Sequence, residues 1–114
     1  MPEGPEVKLF TNKIRQEFIF KTLTKVEVLS GRYIKKKIEN LNSIENNILN
    51  TVSCKGKFIW LTFGDIVVFN TLGMTGSWGK DRNKHTRIVL TFDNDKELCF
   101  SDIRNFGTFQ IKSI

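Results

Sequence analysis

Two apolar runs separated by two residues constrain this chain more than any other feature. Phe58 to Phe63 (FIWLTF) and Ile66 to Asn70 (IVVFN) flank Gly64-Asp65. A Gly-Asp step between strand-like runs is a tight β-hairpin turn. A second pair follows: Thr86 to Phe92 (TRIVLTF) and Glu97 to Phe100 (ELCF) are joined by DNDK, which is rich in turn formers. Thr24 to Ser30 (TKVEVLS) alternates, the β pattern resumes at Thr51, and Gly107 to Lys112 (GTFQIK) reads as a last strand. Short strands joined by tight turns predict an antiparallel sandwich or barrel.

Helical spacing is confined to the first half. Val7, Phe10, Ile14 and Phe18 lie three, four and four apart, one face of an amphipathic helix. Pro5 suits its first turn, and Glu3 and Glu6 suit the positive end of its dipole. The spacing predicts a helix over about residues 5–18. Asn42 with Glu45 three residues later resembles a capping box. Leu41, Ile44 and Ile48 then predict a short second helix. Gly31 to Lys37 (GRYIKKK) reads as a basic loop or strand end, its lysines a solvated surface. The expected class is α+β, mainly β, with two helices flanking the strands in one domain over residues 1–114.

Ten phenylalanines and two tryptophans are ample for a core and argue against disorder. Eighteen basic residues against 12 acidic ones give a net charge of +6. That balance favours anionic partners, nucleic acid first and membrane surfaces second. Cys54, Cys99 and the single His85 are too few for a four-ligand zinc site, so the cysteines read as buried free thiols. No signal segment opens the chain, and no apolar run approaches the roughly 18 residues of a membrane span. The expectation is a reduced, intracellular protein, cytoplasmic or nuclear, with no membrane partner.

The opening, MPEGPEV, crowds two prolines and two glutamates into six residues. They could simply start a helix and decorate its dipole. They could also be reagents. Were Met1 removed, Pro2 would present a secondary amine titrating near ~8, against ~10.4 for lysine. Much more of it would be unprotonated at neutral pH. Attack of that amine on a sugar C1′ gives an iminium that is cationic without a further proton. The cation acidifies the C2′ hydrogen, so the amine is nucleophile and electron sink at once. Glu3 could supply the proton that opens the sugar ring, and Glu6, one turn on, could hold the amine in place.

Four segments together carry a resemblance: MPEGPEV, KGKFIWLTF around Lys57, TLGMTGSW around Met74, and FSDIRNFG around Arg104 and Phe106. In order and approximate spacing they resemble the N-terminal half of the Fpg/Nei DNA glycosylases (formamidopyrimidine-DNA glycosylase and endonuclease VIII). The resemblance covers essentially the whole chain. It implies a two-sheet antiparallel β-sandwich with two helices. It implies Pro2 as Schiff-base nucleophile and Glu3 as proton donor, with Glu6 matching the motif's second glutamate. Lys57 would grip a phosphate from a hairpin tip. Met74, Arg104 and Phe106 would fill the gap left by an extruded nucleotide. His85, in the basic loop KDRNKHTR, matches a DNA-contacting histidine. Lys80, Arg82, Lys84 and Arg87 around it could form a phosphate-binding stripe or remain solvated charges.

Such enzymes excise oxidised bases from damaged double-stranded DNA and cut the abasic site by β- and δ-elimination. The resemblance implies the same for this chain, acting as a monomer. The family's second half, with its helix-two-turn-helix module and usual zinc finger, has no counterpart here, so no metal or cofactor is expected in this chain. The ending at Ile114 favours an excised domain over a naturally short protein. Either would be weak or inactive alone, having lost phosphate contacts. Gly4 leans towards the oxidised-pyrimidine branch and the Met-Arg-Phe set towards oxidised purines. Asn105 replaces a second arginine common among purine-preferring members. The expectation is a broad, endonuclease VIII-like range. The rival reading is a non-catalytic nucleic-acid-binding module that keeps the same sandwich.

Overall fold

The computed structural model describes residues 4–113. One α-helix, α1 (Gly4–Phe18), precedes eight strands: β1 (Leu23–Val28), β2 (Leu49–Lys55), β3 (Phe58–Phe63), β4 (Ile66–Thr71), β5 (Gly76–Gly79), β6 (Thr86–Phe92), β7 (Glu97–Asp102) and β8 (Thr108–Ser113). The strands form two four-stranded antiparallel sheets, ordered β1-β6-β7-β5 and β2-β3-β4-β8. The period-two pattern is the reason. In β3, Ile59, Leu61 and Phe63 are buried, while Phe58, Trp60 and Thr62 face the other way and are only partly covered.

The inner faces meet as a sandwich. Phe63 of one sheet stacks near Phe92 of the other, and Phe100 meets Phe109 edge-on at 4.9 Å between ring centroids. The Trp78 indole N–H donates to Asn70 Oδ1 at 2.9 Å, tying β5 to β4 across the core. Helix α1 inserts Val7, Ile14 and Phe18 into this core. It runs along two edge strands: the Arg15 guanidinium donates to the Val52 carbonyl in β2, and Lys80, just after β5, pairs with Glu17. An edge covered by a helix offers no free pairing surface.

The expected second helix does not form. Leu41–Ile44 is a single 3-10 turn, and Asn40 opens it at φ +60 without a side-chain cap. The capping box fails because Glu45 is engaged elsewhere, accepting the Val26 N–H at 2.9 Å. Leu41 and Ile44 are buried, but Ile48 is exposed and sits in an isolated bridge to Thr22. Three apolar residues over two turns are too few to sustain a helix where sheet partners compete. The basic GRYIKKK segment holds another 3-10 turn, Arg32–Ile34. Strand β5 gives no sequence signal, being four residues with a glycine at each end.

Candidate nucleic-acid interface

The connectivity brings five segments to one end of the sandwich. Gly56-Lys57 is the two-residue turn between β2 and β3, with Gly56 at φ +60, as the first position of a primed hairpin turn requires. Lys57 therefore sits at a hairpin tip, half-buried. Its carbonyl accepts the Leu72 N–H at 3.1 Å, fixing the tip to the end of β4. β4 pairs with β8 so that Thr71 faces Thr108, which places the Ile103–Gly107 loop at the same end. In the other sheet Gly76 faces Asp102 and Thr86 faces Ser101. The Met74 turn and His85 therefore lie there too, and the Asp102 N–H donates to the His85 carbonyl at 3.0 Å.

Helix α1 points its N-terminal end the same way. Arg15 stands level with Val52, and the Phe20 N–H donates to the Leu49 carbonyl, so the helix runs against the direction of β2. From Arg15 back to Glu6 is about 13 Å of helix, and from Val52 on to Lys57 is about 16 Å of strand. Glu6 thus lies at about the height of the hairpin tip, exposed on the first turn. Pro2 and Glu3 lie outside the described residues.

The apolar and basic tips face solvent. Met74 is 45% and Phe106 55% exposed, and Arg104 is exposed beside them. Met74 and Phe106 are not core; grouped at one end, they form a candidate contact surface. Gly73 allows their approach. It takes φ +59, and a Cβ there would stand 2.9 Å from the Cβ of Phe106. Asn105 adopts φ +58, a conformation asparagine tolerates better than arginine would. From the flank, Arg32 donates to the Asn105 carbonyl at 3.5 Å and lies over the Tyr33 ring, while the Tyr33 hydroxyl accepts the Phe109 N–H.

Five ion pairs tie up four cations among the described residues. Glu17 binds both Lys80 and Lys96, and those contacts, Lys96 first, hold its carboxyl below the usual range. Arg82 pairs with Glu97 and Glu27; its hydrogen bond to Glu97 raises the guanidinium pKa and lowers that of Glu97. Lys25 also pairs with Glu27. By contrast Arg32, Lys35, Lys36, Lys37, Lys57 and Arg104 have no ion-pair partner among the described residues. The stripe considered around His85 is therefore not available as such. Lys80 and Arg82 are neutralised, and Arg87 is committed to the Asp102 carbonyl, the Ser30 hydroxyl and the Ile103 carbonyl. Of the four, only Lys84 has neither an ion pair nor a side-chain hydrogen bond among the described residues.

Two residues that sequence reasoning passed over organise this end. Asp102 is 1% exposed and accepts from both the Thr75 hydroxyl and the Gly107 N–H. Thr75 accepts in turn from the Arg104 N–H. The available signal was an acid ending an apolar strand, where acids are depleted. Cys54 and Cys99 are free thiols, and burial raises the pKa of Cys99. Among the described residues no cluster of His, Cys, Asp or Glu could hold a metal ion, and no helix is long and apolar enough to cross a membrane.

The result is a two-sheet sandwich with apolar and cationic side chains gathered at one end, and known proteins resemble it closely. The family model for the formamidopyrimidine-DNA glycosylase N-terminal domain matches residues 1–109. The chain belongs to that family. The formamidopyrimidine-DNA glycosylase of Corynebacterium jeikeium is 30% identical over 120 residues, covering 98% of this chain and 42% of that protein. The solved MutM (Fpg) structure from Thermus thermophilus superposes with a TM-score of 0.84 at 28% identity, covering 98% of this chain and 41% of that one. A MutM complex with DNA containing carbocyclic 8-oxo-G gives a TM-score of 0.86 at 24% identity, covering 98% and 45%, a likeness of fold. The chain spans less than half the length of these relatives.

Proposed function

We propose that this chain is the catalytic N-terminal domain of a base-excision DNA glycosylase that is also an abasic-site lyase. Its substrate would be oxidised bases in duplex DNA, with a broad range. The observation that carries this reading is convergence: Lys57, Met74, His85, Arg104 and Phe106, from four separate turns, share one end with the N-terminal end of α1. The solved relatives bound to DNA with an oxidised guanine analogue or an abasic site support the substrate class.

In this mechanism the Pro2 amine, freed by loss of Met1, attacks C1′. Glu3 gives a proton to the sugar ring oxygen as the N–C1′ bond forms and the C1′–O4′ bond breaks; the base then leaves C1′ carrying the proton that the amine gives up, and the nitrogen becomes a cationic iminium. The resulting iminium draws electron density from C2′, which loses a proton. The C3′–O bond then breaks and the phosphate departs. A second elimination releases the 5′ phosphate, and water hydrolyses the remaining imine to return the amine. Glu6 holds the amine, and Lys57 binds the phosphate beside the sugar. Extruding the nucleotide costs a few kcal/mol of stacking and pairing. Met74 and Phe106 refill the stack, and Arg104 bonds the orphaned base. The chain works as a monomer, and weakly in isolation, because fewer phosphate contacts mean less binding energy.

Sodium borohydride trapping on an oligonucleotide with one abasic site tests this, with intact mass and Pro2→Gly alongside. The expected result is loss of Met1 and a covalent adduct at Pro2 that Pro2→Gly abolishes. A chain that retains Met1 would instead be a nucleic-acid-binding module; one that lacks Met1 yet forms no adduct would need the second half present in its longer relatives to present the sugar. Trapping as efficient as that of a full-length relative would overturn the expected weakness.

A further inference from the structure

The proposed chemistry does not use the Asp102 carboxylate, yet its contacts define a task. A buried carboxylate is costly unless it is hydrogen-bonded, and no cation pairs with Asp102 among the described residues. Its two oxygens serve two different turns instead. Oδ1 accepts from the hydroxyl of Thr75, the residue after Met74. Oδ2 accepts the N–H of Gly107, the residue after Phe106, at 2.8 Å. The direction of the protons is determined. A carboxylate only accepts, so Thr75 must donate to it, which leaves the Thr75 oxygen to accept the Arg104 N–H at 3.0 Å. The main chain on either side of Asn105 and Phe106 is thereby held to the turn that carries Met74. The close approach of Gly73 to Phe106 joins the same two turns sterically.

We propose that Asp102 is a positioning residue that locks the Met74 turn and the Arg104–Phe106 turn into one preassembled insertion element. What the element enters rests on the function proposed above; the lock itself does not. Preassembly matters only where a stack must be opened and refilled. It should speed reaction on duplex and leave reaction on a single strand untouched. Asp102→Asn removes the charge and one of the two acceptors: its single amide oxygen either faces Gly107, accepting more weakly than a carboxylate, or faces Thr75 and sets an N–H against the Gly107 N–H. Thr75→Val cuts both of its links, and Thr75→Ser keeps them.

Two measurements on the 114-residue chain test the lock. One is borohydride trapping at an abasic site in duplex and in the same strand alone. The other is amide hydrogen exchange at Arg104 and Gly107, read by NMR. Asp102→Asn and Thr75→Val should lower the duplex-to-single-strand ratio about tenfold and speed exchange at Arg104 in both variants and at Gly107 in Asp102→Asn. Thr75→Ser should match the parent in ratio and exchange. Equal loss on both substrates, an unchanged ratio, or parental exchange in the disrupted variants overturns the proposal. If the parent traps on neither substrate, this chain alone does not carry the lyase step and exchange alone decides the lock. Should Asp102→Asn not fold, the Thr75 pair carries the test at a half-buried position.

Discussion

Gly73 shows how one residue shapes the interface. It sits at φ +59 with Phe106 against the place a Cβ would occupy. Gly73→Ala combines a left-handed backbone with that clash and is expected to cost about 1–3 kcal/mol. Urea unfolding would register this as a lower midpoint with an unchanged slope; an unchanged midpoint would mean the turn relaxes freely. At this scale, legibility depended on how far away a residue's partner lies. Lys57, Met74, Arg104 and Phe106 stand in recognisable local strings. The role of Thr75 comes from an acid 27 residues away, and Arg82 is neutralised by glutamates 15 and 55 residues away. Nothing local announces either, so the basic loop looked more available than it is.

Among elements, the sandwich is held by few polar ties, and the best defined joins β4 to β5. Asn70 is fully buried, accepting the Trp78 indole N–H and donating to the Thr108 and Thr71 carbonyls at 3.1 and 3.2 Å. Asn70→Leu strands a buried donor and is expected to destabilise by about 1–3 kcal/mol. With Trp78→Phe already in place the same change should cost less, a coupling that a double-mutant cycle in denaturant measures. Additive losses would mean the tie contributes nothing of its own. The hairpins were legible because a two-residue turn between alternating runs leaves little freedom. The second helix was misread because a spacing of three and four over so short a span also fits two buried residues of a 3-10 turn. β5 was invisible because its pairing, not its composition, makes it a strand.

For the whole molecule, which cations are paired says more than their total. Lysines and arginines beside the outer face of the β1-β6-β7-β5 sheet are tied to glutamates, while those near the Lys57 end are not. Binding to abasic duplex, followed by fluorescence anisotropy across salt concentrations, should reflect this. Lys57→Gln is expected to weaken binding and to lower the salt slope by about one. Lys80→Gln, already paired with Glu17, should change neither. Equal effects from both would mean that only net charge matters.

The exposed Met74, Ile103 and Phe106 carry a further consequence. An apolar tip of this kind invites self-association. Two copies approaching tip to tip would also bring their unpaired cations together, and like charges repel within the ~8 Å screening length of physiological salt. A polyanion meets the opposite field. On the function proposed above, the surrounding charge would act as a filter on adhesion, disfavouring contact of the tip with its own kind while leaving it sticky towards one class of partner.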